Sequence, residues 1–390
     1  MISSIMPTYA PSELTFTSGQ GAYLYDNNGK SYIDFSSGIA VTSLGHSHPV
    51  LTKALKNAID KVWHLSNLYT IEGQRQLADK IVNNSFAETV FFTNSGAESI
   101  ECLIKVVRKY FNHINKPEKY RIITFEGAFH GRTLAALSAG NQKKHLDGFG
   151  PHLDGFDQVS FFDISELKNS ISDNTAAILL EPIQGEGGIR VFPDEFIYQV
   201  KDLTDKNEIL LCFDEVQTGI GRTGNLFAHQ RWDFTPDLVA SAKGLGGGFP
   251  VGACLSTAKV AAGMLPGTHG STFGGNPLAM AAGNAVIDTV LGDNFLTQVT
   301  NLGAKLKIQL NKIQIKHKAK LAEIRGTGLM LGLKFNCSTE GLVDLFRKNG
   351  LLTVPAGDNV IRLLPPLVVN EIDIDKACNI IDESIENWTK

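Results

Sequence analysis

A lysine and an aspartate mark where this chain could do covalent chemistry. Lys243 stands at the end of Asp237–Ala242, a short apolar run with the look of a buried strand. The glycines at 244, 246, 247 and 248 are read as forbidding any regular element after it. A lone lysine before a glycine is usually a solvated loop residue, whereas burial beside other charges lowers a lysine's pKa and leaves a neutral amine able to form a Schiff base. The acid upstream turns the reading toward chemistry. Asp214 ends a second buried run, Ile209 to Phe213. In an open α/β sheet ligands sit beyond the carboxyl ends of the strands, so Asp214 and Lys243 can face one crevice from neighbouring strands. Pyridoxal phosphate needs such a pair: the lysine carries the cofactor, and the carboxylate keeps the pyridine nitrogen protonated so that the ring accepts a carbanion's electrons.

Six strings stand in one order along the chain: NSGAES, FHGRT, EPIQGEGG, FDEVQTGIGRTG, SAKGLGGGFPVGA and STFGGNPLA. In order and approximate spacing they resemble the subgroup-III aminotransferases, and the resemblance covers essentially the whole chain. Any one glycine-rich string alone would be weak, and their coincidence is specific. The resemblance implies an α/β fold of type I, with a mostly parallel central sheet in a large domain and a small α+β C-terminal domain. It implies transfer of a distal amino group to 2-oxoglutarate, with N2-acetyl-L-ornithine as the donor. N-succinyl-L,L-diaminopimelate, N-succinylornithine, ornithine and 4-aminobutyrate are the alternatives.

Roles follow from the same resemblance. Lys243, Asp214 and Glu186 are the expected catalytic residues. Gly96 and Ala97 are expected on the cofactor's phosphate, Phe129 and Val216 against its ring and Gln217 on its ring hydroxyl, with Glu215 also in the cofactor site. Arg132 is expected to clamp a substrate carboxylate. Glu186 is expected to act as a gate that pairs with Arg362 for the distal-amine donor and releases it for the α-carboxylate of glutamate. Ser271 at the substrate and Thr272 on the phosphate are expected from the neighbouring subunit of a homodimer, and Ser66 to Thr70 at the substrate entrance.

The elements that must hold these residues alternate along the chain. Residues 14 to 35 read as a hairpin turning at Asn27-Asn28-Gly29 and leading into the core. Pro49 opens an amphipathic helix running to about His64. Helices over 74–84 and 97–113 and strands over 89–93, 121–125, 175–180, 209–213 and 238–242 predict a mostly parallel sheet covered on both faces. Ser95 is both a helix cap and, with Gly96, the start of a phosphate seat at a helix N-terminus. A helix opens near Pro277, a long one spans 294–317, and a C-terminal α+β pattern follows: two short strands broken by Gly326 and Gly328, a helix over 340–349, a strand over 360–364 and a helix over 372–388. The expected division is 1–48, 49–290 and 291–390.

Composition narrows the field without pointing to a function. The 390 residues are 43% hydrophobic and 19% charged with a net charge of -4, which suits a globular protein and gives no reason to expect nucleic-acid or membrane binding. Five scattered cysteines with no C-x-x-C pair argue for a reducing compartment and against a metal framework. His46 and His48 lack a third ligand cluster, so no metal is expected. Met1–Ala10 has no charged n-region or apolar h-region, and a cytoplasmic location is expected.

Overall fold

Apolar strands of four to six residues assemble into one seven-stranded sheet, in the order Thr89–Thr93, Gly252–Ser256, Leu238–Ser241, Leu210–Asp214, Thr175–Leu180, Arg121–Phe125 and Phe156–Val159. The computed structural model describes residues 4–389; Met1 to Ser3, the start of the Met1–Ala10 stretch, and Lys390 lie outside it. Gly252–Ser256 is antiparallel to both of its neighbours, and the other strands share one direction. All six residues of Thr175–Leu180 are buried, because a central strand packed on both faces has no use for polar alternation. Full burial of each leucine, isoleucine or phenylalanine in such strands contributes about 1.5–3 kcal/mol. The shared direction brings Asn94, Glu126, Glu181, Asp214 and Lys243 toward one edge of the sheet, and that edge is where the site forms.

The helix Gly96–His113 runs along this sheet with a buried face that includes Ile100, Leu103, Val107 and Phe111. Its start is well defined. The Ser95 hydroxyl accepts the Glu98 amide at 3.2 Å, and the Glu98 carboxylate returns to the Asn94 amide at 2.8 Å, a variant of the capping box shifted by one residue.

Beyond the main sheet, Leu321–Thr327, Met330–Phe335, Val360–Leu363 and Val354–Ala356 form an antiparallel sheet, and the helices Phe295–Lys316 and Glu371–Asn387 pack together beside it. A two-stranded ribbon, Ile183–Gln184 with Arg190–Val191, carries Glu186 in its loop. No described helix is long and apolar enough to cross a membrane.

Several expectations change. The glycine run is not free of regular structure: Lys243–Gly246 forms a single 3₁₀ turn, and the strand Gly252–Ser256 follows it into the sheet. Small residues conceal that strand, because Gly252 leaves room that a Cβ would take from the Ser99 and Thr93 hydroxyls, each 2.5 Å away. The hairpin Tyr23–Asp26 with Ser31–Asp34 has the expected antiparallel pairing, but its sheet is completed by Phe16–Gln20 and by Leu351–Leu352 from the C-terminal part, not by the main sheet. The helix from Pro49 stops at Ile59. Past that point Val62 and Trp63 are exposed, so a further turn would bury no apolar face.

Candidate active site

Lys243 leaves its strand in a left-handed conformation, φ 43°, a costly geometry for a residue with a Cβ and one that the surrounding packing must enforce. Its amine has no hydrogen bond or ion pair among the described residues. Burial lowers its pKa, and the Arg362 charge lowers it further against the opposing pull of Glu186, Asp214 and Glu181. Opposite stands a buried pair: His130 Nδ1 and Asp214 Oδ2 are 2.8 Å apart, while Asp214 Oδ1 accepts the Val216 amide at 3.0 Å. Burial pulls the His130 pKa down, but the hydrogen bond to Asp214 and its charge prevail and raise it. The other ring nitrogen, Nε2, is buried without a partner. Glu181 lies beneath, accepting the Phe129 amide at 3.0 Å and the Gly185 amide at 3.3 Å. Burial and the Asp214 charge push its pKa up to about 7.

These groups border a cavity of about 240 Å³ lined by Gly96, Ala97, Phe129, His130, Gly131, Arg132, Glu181, Asp214, Val216, Gln217 and Lys243. At one end is the N-terminus of the Gly96–His113 helix, whose first amides have no intrahelical acceptor and favour an anion. A Cβ on Gly96 would come within 2.6 Å of Val216 Cγ1, so glycine lets Val216 close over that end. Arg132 is exposed at the mouth, its guanidinium 5.6 Å from the centre of the Phe129 ring. Arg362 is 1% exposed; it donates to Glu186 Oε1 at 2.6 Å, to Gln217 Oε1 at 3.2 Å and to the Pro355 carbonyl at 3.2 Å.

The donor set fits a flat, phosphate-bearing pyridine: a free amine, an acid with a histidine behind it, a helix N-terminus and an apolar side chain, Val216, at the cavity wall. Of the residues singled out from sequence, Gly96, Ala97, Phe129, Arg132, Asp214, Val216, Gln217 and Lys243 come together here, with Glu186 and Arg362 joined to them through Gln217. Glu215 does not. Its carboxylate turns away and is filled by the amides of Ala228 at 2.5 Å and His229 at 2.9 Å, the His229 ring at 2.7 Å and the Thr218 hydroxyl at 3.2 Å, so it has nothing left for a cofactor.

Ser271 and Thr272 also lie outside their own chain's cavity. Thr272 is exposed, and the Ser271 hydroxyl accepts from Asn94 Nδ2 at 3.1 Å. Ser66 to Thr70 sits beside them, with Asn67 donating to the Ser271 and Gly274 carbonyls. His46 is taken up by Asp34 at 2.9 Å. The sequence places Glu181 near the crevice without giving it a role and gives none to His130, although both lie within flagged strings. The signal available was position: Glu181 directly follows one strand and His130 lies in the loop after another, at the edge where Asp214 ends its strand and Lys243 follows its own.

Comparison with known proteins agrees in kind. The family described as aminotransferase class-III matches residues 5–385. The chain is similar to an acetylornithine aminotransferase of Agrobacterium fabrum, 53% identical over 93% of this chain and 91% of the relative. Among solved structures it resembles an N-acetylornithine aminotransferase from Stenotrophomonas maltophilia, with TM-score 0.84 and 36% identity over 96% of each chain. It also resembles an ornithine aminotransferase from Toxoplasma gondii described with partial occupancy of PLP at its active site, with TM-score 0.93 and 31% identity over 98% of this chain and 92% of that one.

Proposed function

The chain belongs to the class-III aminotransferases, and from that premise we propose that it transfers the distal amino group of N2-acetyl-L-ornithine to 2-oxoglutarate in arginine biosynthesis. The products are N-acetyl-L-glutamate 5-semialdehyde and L-glutamate. The observation that carries the chemistry is the free, half-buried Lys243 amine facing the Asp214–His130 pair, and the choice of donor rests on the similarity to acetylornithine aminotransferases.

Pyridoxal phosphate, when bound, supplies a carbonyl for amine exchange and a ring that accepts electrons from the carbon losing its proton. The helix N-terminus at Gly96 and Ala97 would hold the phosphate, and Phe129 and Val216 would hold the ring. Gln217 takes the ring hydroxyl. Asp214 would keep the ring nitrogen protonated, and His130 fixes the carboxylate's orientation from behind. Lys243, with its pKa lowered, would remove the proton from the carbon bearing the donor's amine and return it to the carbon on the other side of that nitrogen, a 1,3 shift.

The Glu186–Arg362 pair lets one cavity serve two substrates. The donor brings no free charge beside its reacting amine, so the pair stays closed at 2.6 Å. 2-Oxoglutarate brings a carboxylate to that place, and Arg362 must then leave Glu186 to meet it, because an unpaired charge so deeply buried is costly. Arg132, at the mouth, takes the remote carboxylate of either substrate. Ser271 and Thr272 complete the cavity of a second copy, so the working form is a homodimer.

Incubation with N2-acetyl-L-ornithine and no oxo acid tests the reading. One semialdehyde per site, formed faster than with ornithine, 4-aminobutyrate or the succinylated donors, is expected. Faster turnover of another donor would replace the substrate and keep the class, and no product from any of them would overturn both.

A further inference from the structure

A second cleft lies behind the ribbon that carries Glu186. It has a volume of about 620 Å³, and its walls come from Phe161 and Phe162, the ribbon strand Arg190–Val191, Lys307, the strand Leu321–Thr327 and Asp358. Four cations face it against two acids, and the cations differ in how they are engaged. Arg325 is paired with Glu323 at 2.8 Å and Asp358 at 2.7 Å, and Arg231 with Asp194 at 2.5 Å. Lys307 donates to the Gly326 carbonyl at 2.8 Å.

Arg190 is the exception. Its guanidinium carbon lies 3.7 Å from the centre of the Phe161 ring, and among the described residues it has neither a hydrogen bond nor an ion pair. Glu126 and Asp358 act on it through charge alone, and Asp358 is already held by Arg325 and Lys334. Stacking on an aromatic face fixes the plane of a guanidinium while leaving its N–H edge free, and that edge matches a carboxylate with two parallel hydrogen bonds. Beside it are apolar groups open to the cleft: Phe162 is 53% exposed, and Val191 is half-buried.

We propose that this cleft is a binding site, separate from the Lys243 cavity, for a small carboxylate with an apolar body, the carboxylate on Arg190 and the body against Phe162. Such a ligand would lie against the ribbon loop. The Gly188 carbonyl accepts from Arg325 at 3.2 Å, and the Glu186 carbonyl accepts from the Gly357 amide at 2.9 Å, so one wall of the cleft is also the support of the Glu186–Arg362 pair.

Phenylacetate is a suitable probe, titrated into the cofactor-loaded protein by calorimetry. Saturable binding is expected, weakened roughly tenfold by Arg190→Gln, also weakened by Phe162→Ala, and unchanged by Arg132→Gln at the mouth of the other cavity. Arg190→Lys guards against a folding defect; it keeps the charge, loses the planar fork and is expected to weaken binding as well. Inorganic phosphate, which has the charge and no apolar body, is expected to bind more weakly. Absence of binding, an affinity that follows Arg132 instead of Arg190, or phosphate binding as tightly as phenylacetate would each overturn the proposal.

Discussion

Asp214 and Glu215 are chain neighbours, both are buried and both pair with a histidine, yet they face opposite ways. Glu215 meets His229, two backbone amides and a hydroxyl, a closed set with no acceptor capacity to spare. Asp214 meets His130 and one amide beside an open cavity, next to a lysine with no partner and a histidine nitrogen with none. Burial and charge are common to the two regions, and incomplete bonding separates them. A buried acid that is fully satisfied supports the fold, whereas groups left unsatisfied around a cavity are held ready for a ligand.

The widest separation of the two regions should come from Lys243→Ala. Loss of the free amine is expected to lower turnover by roughly 10⁴-fold or more while the melting temperature of the cofactor-free protein stays close to that of the parent. Steady-state rates beside a thermal melt check both halves, and a large drop in melting temperature would mean that the amine has a structural partner.

Glu215→Ala should do the reverse. Removing the acid strands two buried amides and the His229 ring, at a cost of about 3–5 kcal/mol. Denaturant unfolding reads the loss, and near-parental stability would erase the contrast drawn between the two acids.

The smallest effect expected is on pH dependence, at Glu181. Its pKa is raised from 4.5 to about 7 by burial and by Asp214. A carboxyl raised in the fold contributes stability that is fully present below its unfolded pKa and is lost as pH climbs through its folded value. Glu181→Gln cannot ionise, so its melting temperature relative to the cofactor-free parent should increase between pH 5 and pH 8. A difference that stays flat or declines would mean that Glu181 is ionised at neutral pH and compensated by His130.

Much of the sheet was legible because its central strands are pure apolar runs that end on polar residues, as Thr175–Leu180 ends before Glu181. The strand Gly252–Ser256 was not, since glycine, alanine, cysteine and serine carry little periodic signal and its neighbours, not its own propensity, hold it in place. The candidate site was legible in its reactive types. Lys243, Asp214 and the helix start at Gly96 stand at element ends that local sequence marks. Alternation along a strand also requires Asp214 and Glu215 to diverge, but it does not say which of them faces the ligand.

What the sequence determined alone was therefore the set of reactive groups and the elements carrying them, because hydrophobic period, caps and glycines act over a few residues. Only the tertiary structure decided that Asp214 turns to His130, that Glu215 turns into the core and that Arg190 is left stacked without a partner. Those outcomes depend on sheet order and on packing between elements far apart in the chain, which no local pattern encodes.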